Sequence, residues 1–330
     1  MTTQGQDILI VGAGLAGLAL ARELTRAGQP VTVLDKSRGV SGRSSTRRLE
    51  AARLDHGARF FTARHTKTSA LVQEGLDAGW LKEWTRGIPK WQAGQITQES
   101  GGHPRYVPPA GMSTLGRELA AGLNVQTEAQ VTRLTRSGSG WQAQCQDGRT
   151  FAAGTVVLNM PAPQIVPLLG AADIDVSPFQ AVRLDPCWAV GAVLERDLTG
   201  ADWPALRVQD HPALEWIARE HTRREAGHPP ALMLQARADW SREHLHENKA
   251  EVEAALLEMT REIVGPVEVR SSFAHRWLYA TPTARFPQGY GWMPDAGLGW
   301  CGDWCTPDEH GPRVEAALLS GWGLAEQLGG

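Results

Sequence analysis

Gly12-Ala13-Gly14-Leu15-Ala16-Gly17 is the stretch whose reading decides the fold. Before it, Asp7 to Val11 is a short apolar run of strand type, and after it Ala16 to Ala27 carries the periodicity of a helix. Pro30-Val31-Thr32-Val33-Leu34-Asp35 then gives a second, β-branched strand that ends on an acid 18 residues beyond Gly17. In this setting the first glycine permits a tight turn, the second lets backbone approach a pyrophosphate, and the third lets the helix lie close on the strand. The phosphates rest on the helix N-terminus. Asp35 stands where it can accept from ribose hydroxyls. A glycine-rich packing turn is the plain alternative, but strand, helix, second strand and terminal acid together point to a bound dinucleotide.

Outward from this unit, Leu54 to Phe61 reads as a strand, Thr68 to Gly79 as a helix, and Trp80 to Tyr106 as irregular chain. Met112 to Ala121 is helical. Asn124 to Thr135 and Gly140 to Gln146 alternate, with Asp147-Gly148 a hairpin turn into Thr150 to Ala152. Gly154 to Met160 is a buried strand stopped by Pro161 and Pro163; Lys249 to Val264 is the clearest amphipathic helix of the middle. Gly297 to Asp303 is a late strand, and Arg313 to Leu328 a closing helix. No internal repeat is present. The expected plan is α/β: a Rossmann-type cofactor domain from residues 1–60, 107–163 and 291–330, with an inserted α+β substrate domain from 61–106 and 164–290.

A chain of 330 residues suits two packed domains. A net charge of −3 argues against a general nucleic-acid binder and confines any anion site to a local cluster. The apolar run Ile8 to Ala21 is broken by Gly12, Gly14 and Gly17, lacks a basic leader, and falls short of the roughly 20 residues of a membrane span. A soluble, cytoplasmic chain is expected, with no membrane or nucleic-acid partner and its oligomeric state open. Cys145, Cys187, Cys301 and Cys305 read as reduced, and their spacing argues against zinc. His244 and His246 beside Glu243 have no further ligands nearby, so a solvated face is the better reading than a metal site.

The residues after Asp35 separate FAD from NAD. Lys36 to Arg43 resembles the segment after the second strand of flavin-dependent amine oxidases, and Gly299-Trp300-Cys301-Gly302-Asp303 resembles the flavoprotein strand whose Gly-Asp takes the ribityl chain. Asp35 to Arg43, LDHGARFFTAR (54–64), Pro161 to Gln164, AHRWLYA (274–280), CGDWC (301–305) and Arg313 to Ala316 look like bacterial renalases, within the FAD-dependent amine oxidase superfamily of the glutathione-reductase-2 type. These blocks run in the same order over nearly the whole chain. The resemblance implies non-covalent FAD, held by Gly12, Gly14, Leu15, Ala16, Gly17, Asp35, Lys36, Gly42, Arg43, Val131, Pro161, Gly302, Asp303 and Val314. It also implies oxidation of the 2- and 6-dihydro isomers of β-NAD(P)H to β-NAD(P)⁺, with O2 as acceptor and hydrogen peroxide as product.

Such hydride transfer needs two rings oriented face to face and no nucleophile or strong base, so no catalytic residue is assigned. On the substrate side the resemblance places Phe60, Phe61, Thr62, Ala63 and Arg64, with His275, Trp188 and Arg313. Phe60 and Phe61 alternatively face a core, and His275 is alternatively a structural histidine. Trp277 and Trp304 are further ring-stacking candidates, although most of the 13 Trp must be packing. A thioether from Cys301 or Cys305 to the flavin has no matching sequence setting. Ser41 departs from the family's glycine, and the loop Thr306 to Pro312, with Asp308, Glu309 and His310, is longer than its usual connection. Amine oxidation or desaturation on the same scaffold would call for an aromatic cage and a lysine. Tyr and Lys are few here, and no lysine is expected on a substrate-domain strand. A non-catalytic FAD-binding redox sensor is the third reading, since a Rossmann unit alone implies only binding.

Overall fold

A computed structural model describes residues 7–99, 101–170, 172–307, 311 and 313–329. The chain forms two compact units, residues 1–44, 115–184 and 282–330, and residues 45–114 and 185–281.

The first unit is built on a six-stranded sheet. Ile8–Val11 is buried along its whole length and pairs in parallel with Val31–Leu34 on one side and Thr155–Leu158 on the other. Runs of Val, Ile and Leu with no polar face suit a strand covered on both sides. Leu298–Trp300 continues the parallel order, Gly291–Met293 closes that edge antiparallel, and Val125–Gln126 forms the other edge. Helix Leu15–Arg26 makes the crossover from the first strand to the second. It packs on the closing helix Val314–Gly329 so closely that a Cβ on Gly321 would overlap the Ala16 carbonyl oxygen. A three-stranded antiparallel sheet, Val131–Ser137, Gly140–Cys145 and Thr150–Ala153, turns through Gly148 at φ +88°, where a side chain would be strained. Pro161 and Pro163 end the strand by starting a helix, Ala162–Leu169, whose N-cap is Pro161.

The second unit carries a seven-stranded sheet in the order Val269–Ala284, Arg183–Leu194, Ala231–Ala236, Leu214–Arg219, Ala205–Val208, Lys90–Gln92, Gln95–Thr97. One face packs Val190, Leu232 and Leu234 under helix Lys249–Val264 through Val252 and Leu256. The other packs Ala189, Val193, Met233 and Trp216 against Leu54 and Phe273.

Three expectations give way to the observed elements. Trp80 to Tyr106 is not irregular: Lys82–Thr85, Lys90–Gln92, Gln95–Thr97 and Arg105–Val107 are strands, each too short to show alternation and separated by Gly87, Pro89, Gly94, Gly101 and Gly102. Lys82 and Lys90 therefore do lie on strands. The strand expected over Leu54 to Phe61 ends at Asp55: the carbonyls of His56, Gly57 and Arg59 accept from the side chains of Trp277, Gln235 and Arg223, and Phe61 forms a single bridge to Tyr106. Residues 45–60 and 107–114, expected in the cofactor domain, fall in the second unit, where Asp55 joins Glu220 and Arg224, while 164–184 and 282–290, expected in the substrate domain, fall in the first.

Candidate functional site

In the first unit the glycine loop is held open by geometry that only glycine meets. Gly12 sits at φ +112°, and a Cβ there would overlap the Asn159 carbonyl oxygen. Gly14 is the N-cap of helix Leu15–Arg26 with extended backbone and no side chain to cap it. The first-turn N–H groups thus meet no capping oxygen from that residue, the arrangement that receives phosphate. Asn159 Nδ2 donates to the carbonyls of Gly12 (3.1 Å) and Gly14 (3.2 Å), and a Cβ on Gly17 would strike the same amide. Asn159 is thus a loop-setting residue that sequence reasoning missed.

Asp35 performs a similar task from the second strand. Its Oδ2 accepts from Ala13 N and its Oδ1 from Ser37 N, both at 2.7 Å. Lone pairs remain on each oxygen for further donors. Lys36 beside it is exposed. Ser41, the departure from glycine, adopts φ +93° and is 1% exposed; its Oγ donates to Ser44 O (2.8 Å) and its N–H to Ala13 O (2.8 Å). These bonds offset a backbone cost of roughly 1–2 kcal/mol. Gly42 comes next at φ +54°, with its would-be Cβ 3.3 Å from Gly14 Cα. The loop and the helix start therefore form a cradle of bare backbone that any side chain would fill.

Arg43 reaches Asp303 across the same unit, Nη2 to Oδ1 at 2.6 Å and Nη1 to Oδ2 at 3.0 Å. Gly302 N donates to Ser320 Oγ (2.9 Å), and a Cβ on Gly302 would lie 2.8 Å from Trp304 Nε1. Arg313 Nη2 donates to the buried carboxylate of Glu315 (3.1 Å), so this guanidinium is already engaged by an acid. Val314 opens the closing helix, Val131 is 8% exposed at the start of its strand, and Pro161 is half-buried. The bare cradle, the uncapped helix start and the terminal acid fit a dinucleotide pyrophosphate and ribose. Trp304 is 1% exposed, packed on Phe179 with its Nε1 donating to Met160 O, and serves the core. Cys301 and Cys305 are buried, and burial pushes both thiols up. Asp308, Glu309, His310 and Pro312 lie outside the described residues.

In the second unit the odd-numbered residues of Val269–Ala284 place Phe273, His275 and Trp277 in a row. His56 packs against all three, its ring centroid 4.7 Å from that of His275, 5.3 Å from Trp277 and 5.9 Å from Phe273. Trp277 Nε1 donates to His56 O (2.7 Å), and Ser45 Oγ lies 3.2 Å from His56 Nε2. Burial lowers both imidazoles to about 4, His56 against the pull of a Leu54 carbonyl and Asp55, His275 with help from His56, Lys249 and Arg47. At neutral pH the strip is uncharged.

Beneath it lies a buried quartet. Asp55 accepts from Thr46 Oγ1 (2.6 Å), Met112 N (2.9 Å) and Arg224 Nη2 (2.7 Å); Glu220 Oε2 accepts from Arg224 (2.7 Å) and from Asp55 N (2.9 Å). Arg223 donates to Arg59 O (2.6 Å), and Gln235 Nε2 to Gly57 O (2.7 Å), which fixes residues 55–59. Burial pushes the Asp55 carboxyl up, yet Arg224 and Arg223 more than offset it and hold it below the carboxylate range; burial wins at Glu220, which is raised. Lys82 Nζ donates to Arg224 O (3.1 Å).

The expected substrate residues are dispersed. Phe60 is half-buried between Trp84 and Trp216, Phe61 is 3% exposed against Tyr106, Thr62 and Ala63 are half-buried, and Arg64 is exposed. Trp188 is a correction: it is 1% exposed in the core under helix Lys249–Val264, its Nε1 donating to His244 O (3.1 Å), so it cannot wall a ligand. His244 stacks on Trp240 at 3.8 Å, and among the described residues no three His, Cys, Asp or Glu are grouped to hold a metal. No helix among them is long and apolar enough to cross a membrane.

Known proteins resemble this chain over most of its length. The NAD(P)-binding Rossmann-like domain matches residues 10–74, and the family described as Flavin containing amine oxidoreductase matches residues 75–328. Mouse renalase is 25% identical over 300 residues, which cover 84% of this chain and 85% of the mouse protein. Putrescine oxidase of Kocuria rosea is 40% identical over 73 residues, 22% of this chain and 15% of that protein. Among solved structures, a putative protoporphyrinogen oxidase of Exiguobacterium sp. 255-15 superposes with a TM-score of 0.79 at 13% identity, covering 100% of this chain and 99% of the other, a likeness of fold.

Proposed function

The chain belongs to the flavin containing amine oxidoreductase family, and from that premise we propose that it oxidises the 2- and 6-dihydro isomers of β-NAD(P)H to β-NAD(P)⁺ with O2. Its cofactor is FAD. When bound, FAD would supply the acceptor for the hydride and the route by which its two electrons pass to O2, which with one further proton gives hydrogen peroxide. The residues that would hold it are the helix start at Gly14 to Gly17 and Arg43 on the diphosphate, Asp35 on a ribose, Gly302 and Asp303 along the ribityl chain, and the Val314 N–H on the pyrimidine. Lys36, Gly42, Val131 and Pro161 would complete that surface. No thioether is proposed, because buried, protonated Cys301 and Cys305 are poor nucleophiles.

The observation that carries the substrate reading is the His56–His275–Trp277 strip. His56 is packed behind the half-buried His275 and Trp277, whose neutral imidazole and flat indole suit orienting a pyridine ring with its carboxamide. A hydride donor needs no deprotonation, so neutral imidazoles poorly able to take protons cost the reaction nothing. The renalase likeness supports the same reading by its length, 300 residues against 73 for putrescine oxidase. His275 would contact the carboxamide. Amine oxidation is the second reading: Lys82 and Lys90 lie on strands after all, but the Lys82 ammonium is engaged by Arg224 O. The test is aerobic turnover of each isomer with the product identified. One β-NAD(P)⁺ and one hydrogen peroxide per isomer is the expected yield, and peroxide formed from amines alone would favour the second reading.

A further inference from the structure

A cation stands at the side of the strip. Arg47 lies on the strand Thr46–Leu49 and sets its guanidinium carbon 4.3 Å from the centroid of Phe273, a ring only 5% exposed. The residue itself is exposed, and none of the hydrogen bonds or ion pairs of the described residues involves its guanidinium. Its donors are therefore held in place by the ring beneath them while remaining open to a ligand. Lys249, the first residue of helix Lys249–Val264, is likewise exposed and without an ion pair among the described residues.

The carboxylates of the neighbourhood are committed elsewhere. Glu50 faces Arg270 (3.8 Å), Glu253 accepts from Ser272 Oγ, and Asp55 is enclosed by Arg224, Thr46 and Met112 N. The permanent charges that bear on His275 are those of Lys249 and Arg47, with no acid beside them. An unpaired guanidinium flanks a neutral aromatic strip, a local anion site in a chain whose overall charge is slightly negative.

We propose that Arg47 is a specificity-determining residue that takes a phosphate ester or diphosphate of the ligand whose flat ring lies on the His275–Trp277 strip. The inference rests on the reading of that strip as a substrate surface and adds the residue that takes the phosphate of the nucleotide. Planar guanidinium geometry suits two phosphate oxygens at once, and the Phe273 ring keeps it from collapsing onto the surface.

The experiment is calorimetric titration of the FAD-loaded protein with ADP-ribose, inorganic pyrophosphate and adenosine, with flavin absorbance and melting temperature recorded for every variant. Arg47→Met keeps the contact with Phe273 and removes the charge; it should weaken ADP-ribose and pyrophosphate by about tenfold or more, with Arg47→Lys recovering part of the loss. The affinity for ADP-ribose should also fall with added salt in the parent and less so in Arg47→Met. ADP-ribose bound equally by parent and Arg47→Met would overturn the proposal. So would Arg47-dependent binding of pyrophosphate with none of ADP-ribose, which marks an inorganic-anion site. Arg47-dependent ADP-ribose binding in a protein whose flavin the dihydro isomers fail to reduce would sustain this inference while removing the proposed function.

Discussion

Arg43 and Asp303, 260 residues apart in sequence, grip each other at two points, 2.6 and 3.0 Å. Both are residues through which the cofactor would be held, so the pair preorganises the site before FAD arrives. With side chains 29% and 15% exposed, their mutual coupling should be modest, about 1 kcal/mol after solvent screening. A double-mutant cycle of Arg43→Ala and Asp303→Ala in urea melts of the apoprotein measures it. Each single variant should also raise the FAD dissociation constant by roughly tenfold or more. Unaltered FAD affinity in both would remove the pair from the cofactor site.

Gly12 and Gly14 should fail differently. Alanine at 12 meets the Asn159 carbonyl oxygen and a left-handed backbone, so Gly12→Ala should not fold stably. Alanine at 14 would lie 3.2 Å from the Asn159 amide, a side chain able to yield, so Gly14→Ala should melt near the parent temperature yet lose FAD. Circular dichroism melts beside flavin absorbance decide it. Full flavin occupancy in folded Gly14→Ala would make the motif a packing turn only.

FAD should leave the protein on acid or heat denaturation. Cys301 is 0% and Cys305 1% exposed, and both thiols are pushed up by burial, so neither is poised to form a thioether. Chromatography of the denatured chain checks this, with flavin retained on a peptide as the contrary result.

The strip should leave a signature in acid. His56 has its imidazole lowered from 6.5 to about 4 in the fold, chiefly by burial. A depressed folded value contributes stability that is complete above 6.5 and is lost as pH falls through about 4, here on the order of 3 kcal/mol. His275 acts in the same direction. Urea midpoints of the parent should therefore fall between pH 6.5 and 4, and His56→Gln should flatten that limb. A variant with the same slope as the parent would show that His56 is not held neutral.

Much of the cofactor unit was legible because its signals are local. Gly12 to Gly17, the strand before it and Asp35 lie within 30 residues, and each residue type has one backbone reason to be there. The second unit was legible mainly through resemblance. His56 meets His275 only because two segments 219 residues apart come together, and Asp55 meets Glu220 across 165. No periodicity announces such pairs. Asn159 carried no signal either: its amide matters only once strand Thr155–Leu158 lies beside the glycine loop. Trp188 misled because the resemblance carries a residue type and not the face that it takes on a strand buried on both sides.

The central claim, a dihydropyridine oxidase and not an amine oxidase, is tested most directly by anaerobic stopped-flow reduction of the bound flavin. The 2- and 6-dihydro isomers of β-NAD(P)H should bleach it at least about a hundredfold faster than β-NADH or simple amines, since a misplacement of about 1 Å in the reacting carbon costs on that order. Equal or faster reduction by β-NADH or by an amine would contradict that claim.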